Sequence, residues 1–379
     1  MSKLRSIGNR KQFRSSFLHP APVAAGTVVG ALILVLALGL NCALVFGQGG
    51  RDTARPGAAA DQSVDTASAA PLRIVTQPRA AVIPDSLRSG EPLAVGLVLP
   101  AEAGGTVSGT SGEGRLYAIL LNAQGKRLGR AAFFTIEEDS TITGGGAVLK
   151  AAILAAPSTM VPQTGYIRIE GIEGFDVEDI PIIITERDFA AEVIDLDQGN
   201  TNIRTVPDPQ KTLESEQLWA ILNRTGGDMY AVGAFTPPVS ATRRTSFFGD
   251  RRVYRYVNGS TDTSVHAGID YGVPKGTPVS ACAPGKVLLA RFRISTGNSV
   301  IIEHLPGVYS LYYHLDSIAV AEGALVGAGE LLGESGSTGL ATGPHLHWEI
   351  RAAGENADPD AFVAHPVLDT SEIFSKLDW

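Results

Sequence analysis

The chain has 379 residues, 44% of them hydrophobic, with 7 histidines, 2 cysteines and a formal net charge of −8. That length admits two or three domains, and the acidic balance with a pI near 5.4 gives no support to nucleic acid as a partner. Two cysteines are too few for a disulfide framework.

The acidity is uneven. Residues 1–20 carry Lys3, Arg5, Arg10, Lys11 and Arg14 and no acidic residue, and residues 21–46 follow with an almost wholly apolar run, Val23 to Phe46. Such a run is long enough for a hydrocarbon core of about 30 Å, and the basic flank stays inside, so the bulk of the chain is expected outside the cytoplasm. A secretory signal has a shorter core, roughly 7 to 15 residues, which favours a retained membrane anchor, although Val45-Phe-Gly47 offers a small-residue cleavage site. Leu40-Asn41 before Cys42 fits a lipobox poorly. Residues 47–71 are rich in Ala, Gly, Ser, Thr and Asp and read as a flexible linker.

Residues 72–186 turn to short β runs. Leu72–Val75, Leu93–Leu99, Leu116–Leu121, Ala131–Ile136, Ala147–Leu154, Tyr166–Glu170 and Ile180–Thr185 are divided by turn signals such as Gly104-Gly105 and Gln124-Gly125, which predicts an antiparallel β-sandwich of immunoglobulin-like type. No histidine lies there, so the domain reads as a spacer or recognition module, and a fragment beginning near Ala231 is expected to fold, hold metal and keep activity by itself. A connecting segment, residues 187–232, holds a short helix opened by Asp208 as N-cap and Pro209 at the first position and closed by Thr225-Gly-Gly227. Leu218, Ile221 and Leu222 give it one apolar side, and sequence does not choose which domain that side meets.

Residues 233–368 should again be nearly all β, with strands over Pro278–Ala281, Lys286–Phe292, Ser299–His304, Val308–His314 and Leu346–Arg351. Four of the seven histidines fall here in three phrases: His266-Ala-Gly-Ile-Asp270, Tyr312-Tyr-His314-Leu, and Gly343-Pro-His345-Leu-His347-Trp-Glu349. In His345–Ile350 polar and apolar residues alternate, so a strand would put both histidines and Glu349 on one face. The same rule puts Ser310, Tyr312 and His314 on one face of their strand. Glu349 is placed to orient an imidazole. His266 and Asp270 share a side, and Gly268, Gly272 and Pro274 argue for extended backbone. A hydrolytic zinc site takes three histidine or carboxylate ligands and leaves one position for water, and His266, Asp270 and one histidine of the His-Leu-His pair supply such a set. The two remaining histidines can serve acid, base or oxyanion roles. The segments Arg251–Ser264 and Ser335–Thr342 read as loops walling a groove. Cys282, between two alanines, reads as a buried thiol, and His304 as structural or exposed.

From about Phe235 to Phe362 this stretch resembles the M23 (LytM/lysostaphin-type) zinc peptidases that cut peptidoglycan cross-links. The resemblance rests on Ser246-Phe-Phe-Gly-Asp-Arg251, His266-x-x-x-Asp270, Gly272-Val-Pro-Lys-Gly-Thr-Pro-Val279, Tyr313-His314-Leu315 and Gly336-Ser-Thr-Gly-x-x-x-Gly-Pro-His-Leu-His347. It implies zinc ligands at His266, Asp270 and His347 and catalytic histidines at His314 and His345, acting with a metal-activated water. His345 is then the expected base and His314 the expected oxyanion stabiliser. Taken with the readings above, the expected fold is mainly β: an N-terminal transmembrane helix, an immunoglobulin-like β-sandwich, then an antiparallel β peptidase domain of the M23/LytM type. The implied activity is a zinc-dependent endopeptidase of the cell envelope acting on peptidoglycan peptides, with a non-hydrolytic peptidoglycan-binding or activator protein and a peptidase for exported proteins as the other readings. Which peptide bond is cut, and the oligomeric state, stay open.

Overall fold

The computed structural model describes residues 76–100, 116–137, 147–172 and 177–377, and the expected anchor, linker and first strand (Leu72–Val75) lie outside them. Among the described residues no helix is long and apolar enough to cross a membrane. The structure is mainly β. Among the described residues nine strands come first: β1 (Arg79–Ile83), β2 (Ser86–Arg88), β3 (Pro92–Pro100), β4 (Tyr117–Leu121), β5 (Arg127–Ala132), β6 (Phe134–Glu137), β7 (Ala147–Ala155), β8 (Gln163–Glu170) and β9 (Ile180–Thr185). They form two sheets, ordered β1-β3-β7-β6 and β2-β9-β8-β4-β5. All pairings are antiparallel except β2 with β9, which is parallel. The single run expected over Ala131–Ile136 is split, because the chain leaves one sheet at Phe133 and enters the other.

Strand β3 explains the packing. Leu93 and Val95 alternate inward against β4, β8 and β9, while Ala94 and Val98 face away into a second core that contains Trp348, Phe362 and Ile373. A strand buried on both faces must be apolar at nearly every position, which is what Leu93-Ala-Val-Gly-Leu-Val-Leu99 provides. Gly96 lies where a Cβ would collide with Ile373.

The chain then forms β10 (Ala191–Asp195), helix α1 (Gln198–Thr205) and helix α2 (Pro209–Leu222). Asp208 caps α2 by accepting from the Gln210 N–H, as its sequence demands. Leu218, Ile221 and Leu222 pack on Leu289, Ile301, Tyr309 and Leu311, so the helix belongs with the strands that follow it in the chain rather than with the nine that precede it. Helix α1 was not expected: Gly199, Asn200, Thr201 and Asn202 disfavour helix, and the Asp197 cap is its only clear signal.

The remaining strands are β11 (Arg244–Ser246), β12 (Arg251–Arg255), β13 (Thr261–Val265), β14 (Gly268–Tyr271), β15 (Pro278–Ser280), β16 (Gly285–Arg293), β17 (Gly297–Leu305), β18 (Val308–Ile318), β19 (Leu325–Val326), β20 (Leu331–Ser335), β21 (Leu346–Ala352) and β22 (Glu355–Ala357). Ten of them form one sheet whose main path is β11-β14-β21-β18-β17-β16-β19. A smaller sheet, β10-β12-β13, flanks it. Residues 251–264, expected as a loop, are therefore mostly a β-hairpin. Its turn at Asn258-Gly259 was a legible signal, with Gly259 at φ +82. Helices α3 (Pro359–Ala364) and α4 (Thr370–Lys376) follow, and Ile373 of α4 is buried against Gly96 of β3.

Candidate metal centre and its surroundings

The centre of the ten-stranded sheet sets the site. Asp270 on β14 stands directly opposite His347 on β21, and Tyr313 on β18 stands opposite His347 from the other side. Side chains of His347 and Glu349 leave one face of β21, whereas Leu346, Trp348 and Ile350 enter the core, as the alternation predicts. His266 precedes β14 and is anchored by its N–H to the Asp250 carbonyl, 2.9 Å away. Gly268 lets β14 close on β21, since a Cβ there would collide with the Trp348 carbonyl.

These elements bring His266, Asp270 and His347 together, all buried, with one ligand atom of each within 4.8 Å of the others. Asp270 Oδ1 lies 3.2 Å from His266 Nε2 and 2.8 Å from His347 Nδ1, and the two nitrogens are 3.0 Å apart. Each group is held from behind. His266 Nδ1 donates to the Phe247 carbonyl at 2.8 Å, His347 Nε2 faces Glu349 at 3.4 Å, and Asp270 Oδ2 accepts from Arg252 at 2.7 Å. Glu349 is itself tied to Arg351. Two nitrogens and one carboxylate oxygen, converging and braced by outer partners, are a donor set suited to a divalent cation such as zinc.

Electrostatically, the carboxylates around His347 make this a place that favours positive charge. Burial alone would lower the His347 pKa, yet Asp270 and Glu349 raise it to about 9. His266 is lowered by burial, which the Asp270 bond only partly offsets. Burial opposes the charge on Asp270, but its two imidazole partners hold its carboxyl well below the usual range.

His314 reaches the site by a route that alternation misses. Ser310 and Tyr312 do share a face, pointing to the far side of the sheet where Ser310 meets buried His304 at 2.7 Å. His314 does not join them. A register shift between β17 and β18 and a left-handed backbone at His314, φ +62, turn its side chain back to the metal side. Its ring centroid lies 4.7 Å from that of His345 and 6.2 Å from that of His347. His345, just before β21, places Nε2 3.8 Å from Asp270 Oδ1. The Nδ1 of each of these two histidines donates to a carbonyl, that of Thr338 for His314 and that of Gly343 for His345, both at 2.8 Å. Burial, and then the neighbouring His345 and His347, push His314 down to about 3. A neutral imidazole whose Nδ1 carries the proton presents Nε2 as an acceptor.

All five residues expected at the site are gathered there, with Glu349 behind them. Arg252, Tyr313 and the Thr338 carbonyl were missed. Arg252 stands in the Arg-Arg pair that follows Phe-Phe-Gly-Asp, but nothing in one sequence says which arginine turns inward. His304 proves fully buried, and Cys282 is a free buried thiol 3.7 Å from it, pushed up to about 12 by burial.

Residues 264–359 match the family model described as Peptidase family M23. Over 122 residues the chain is 43% identical to the DD-carboxypeptidase/endopeptidase Mpg of Neisseria meningitidis serogroup B, covering 32% of this chain and 27% of that protein. Over 118 residues it is 37% identical to the peptidoglycan DD-endopeptidase ShyA of Vibrio cholerae, covering 31% and 27%. The catalytic domain of lysostaphin from Staphylococcus simulans aligns with 39% of this chain and 97% of its own at 27% identity and a TM-score of 0.25. The chain thus spans about a quarter of the length of the curated relatives it matches.

Proposed function

We propose, from the match of residues 264–359 to the Peptidase family M23 model, that this protein is a zinc-dependent endopeptidase hydrolysing the peptide cross-links of bacterial peptidoglycan. One observation carries the reading: the convergence of His266 Nε2, Asp270 Oδ1 and His347 Nδ1 beside two further histidines whose Nε2 atoms are free to accept. Zinc held by those three residues would supply Lewis acidity, polarising the scissile carbonyl and making water acidic enough to attack it.

The chain's own residues would do the rest. His345, more exposed than His347 and beside Asp270, takes the proton at Nε2. With its Nδ1 proton committed to the Thr338 carbonyl, neutral His314 offers only an acceptor, Nε2, to the site, so it orients the attacking water rather than serving as the oxyanion donor expected from sequence. Asp250 Oδ2 accepts from the Phe247 N–H at 2.8 Å and so fixes the turn whose carbonyl orients His266.

Peptidoglycan as substrate is supported by the name of the relative ShyA, a peptidoglycan DD-endopeptidase. The same reading puts residues 76–377 outside the cytoplasm, with the basic residues 1–20 inside and the apolar residues 21–46 as the tether. The experiment is digestion of purified peptidoglycan by the zinc-loaded protein, with mass spectrometry of the released muropeptides. Cleavage of a cross-link that stops on chelation supports the reading. Stoichiometric zinc with no cleavage would replace it by a binding or activator role.

A further inference from the structure

The carboxylate of Asp270 has one oxygen turned toward His266 and His347 and the other turned away. The outer oxygen, Oδ2, accepts from Arg252 Nη2 at 2.7 Å, and the Nε of the same guanidinium donates to Glu192 Oε1 at 2.6 Å. Glu192 sits on β10, in parallel register with Arg252 on β12, so neighbouring side chains on one sheet face meet side by side. Glu192 also accepts from Ser246 Oγ at 3.0 Å, and that hydroxyl lies 3.3 Å from His266 Nδ1. Glu192 thus stands behind two of the three converging residues, and it comes from the connecting segment, before the matched residues 264–359 begin.

Resting on the zinc reading above, we infer that Glu192 and Arg252 are positioning residues for the metal centre: Arg252 keeps Asp270 a single-oxygen donor, and Glu192 neutralises the guanidinium so that it does not repel the cation. Geometry and charge both enter. With Oδ2 engaged, Asp270 can neither rotate nor close on a cation with both oxygens. An unbalanced guanidinium 2.7 Å from that carboxylate would oppose any divalent ion beside it. Glu192, one-third exposed, costs little to desolvate and cancels that charge.

The test is metal affinity in the full chain, measured by competition with a chromophoric chelator, with thermal unfolding as control and the visible spectrum of the cobalt-loaded protein as a report on coordination. Arg252→Gln should weaken zinc by roughly 10 to 100-fold and alter the cobalt spectrum as the second oxygen becomes available. Glu192→Gln should weaken zinc as well, while Glu192→Asp, which keeps the charge, recovers part of the loss. The double variant should bind no more weakly than Arg252→Gln alone, because without the guanidinium no charge needs balancing. Zinc affinity within twofold of the parent in Glu192→Gln, or strictly additive losses, would overturn the inference. Should Arg252→Gln fail to fold, the two Glu192 variants decide it alone, since a parent-like affinity for zinc in Glu192→Gln removes the charge argument. If the parent itself takes up no zinc, it is the metal reading that falls.

Discussion

The Tyr313 ring lies parallel to that of His347, 6° between planes and 5.5 Å between centroids. The two residues are direct partners across β18 and β21, so the stack is a product of register. It holds the imidazole plane while Asp270 and Glu349 fix its two nitrogens. Tyr313→Ala should therefore lower both stability, by about 3 kcal/mol for loss of a buried aromatic ring, and zinc affinity. Tyr313→Phe keeps the stacked ring and should bind zinc like the parent. Calorimetric unfolding and zinc titration of the pair check this, and parent-like zinc affinity in Tyr313→Ala would remove the orienting role.

The five site residues should divide into two classes. Alanine at His266, Asp270 or His347 removes a donor atom from the cluster, so zinc content and hydrolysis should fall together. Alanine at His314 or His345 should leave zinc bound while turnover drops by something like 10² to 10⁴. Metal analysis beside hydrolysis rates separates the classes, and zinc lost from the His345 variant but kept by the His347 variant would exchange their roles.

His314 marks where sequence reasoning reached and where it stopped. Strand periodicity placed His347 and Glu349 correctly, because β21 is regular and buried on both faces. The same rule put His314 with Ser310 and Tyr312, and a single left-handed residue after a register shift reversed it. Short motifs still identified the site, since the histidine phrases depend on residue type rather than on face. Contacts between distant segments were invisible: nothing in Arg252, Glu192 or Arg187 announces a partner 18, 60 or 171 residues along the chain.

That invisibility revises the expectation for a fragment beginning near Ala231. The four-stranded sheet shares a core with the ten-stranded one, and Arg187 forms a 2.7 Å ion pair with buried Asp358, the N-cap of α3. Arg251 donates to the Ser158 carbonyl at 2.8 Å. Removing residues before 231 strips these partners, together with β10 and α2, so the fragment should be aggregated or partly unfolded. In the full chain, Arg187→Ala should cost about 3 kcal/mol by leaving Asp358 buried without its cation. Denaturant unfolding of the variant and light scattering of the fragment are the measurements, and a monomeric, cooperatively folding fragment would restore the spacer reading.

The last prediction concerns acid, on the face of the sheet away from the metal. His304 is fully buried, its Nδ1 donating to the Pro284 carbonyl and its Nε2 2.7 Å from Ser310 Oγ, with the Cys282 thiol and Tyr312 hydroxyl completing the surroundings. No carboxylate is among these neighbours, and burial pushes the imidazole down from 6.5 to about 4. Between those values the unfolded chain binds a proton at this residue and the folded chain does not. Folding stability from His304 is therefore complete above pH 6.5 and is lost as pH falls toward 4, by roughly 3 kcal/mol in all. His314, also lowered by burial, adds to the same trend, so the parent must be compared with His304→Asn in zinc-free buffer. The variant will be less stable at neutral pH but should show a visibly shallower decline between pH 6.5 and 4, read from urea unfolding at each pH. Parallel declines in the two proteins would mean that the folded chain protonates His304 readily.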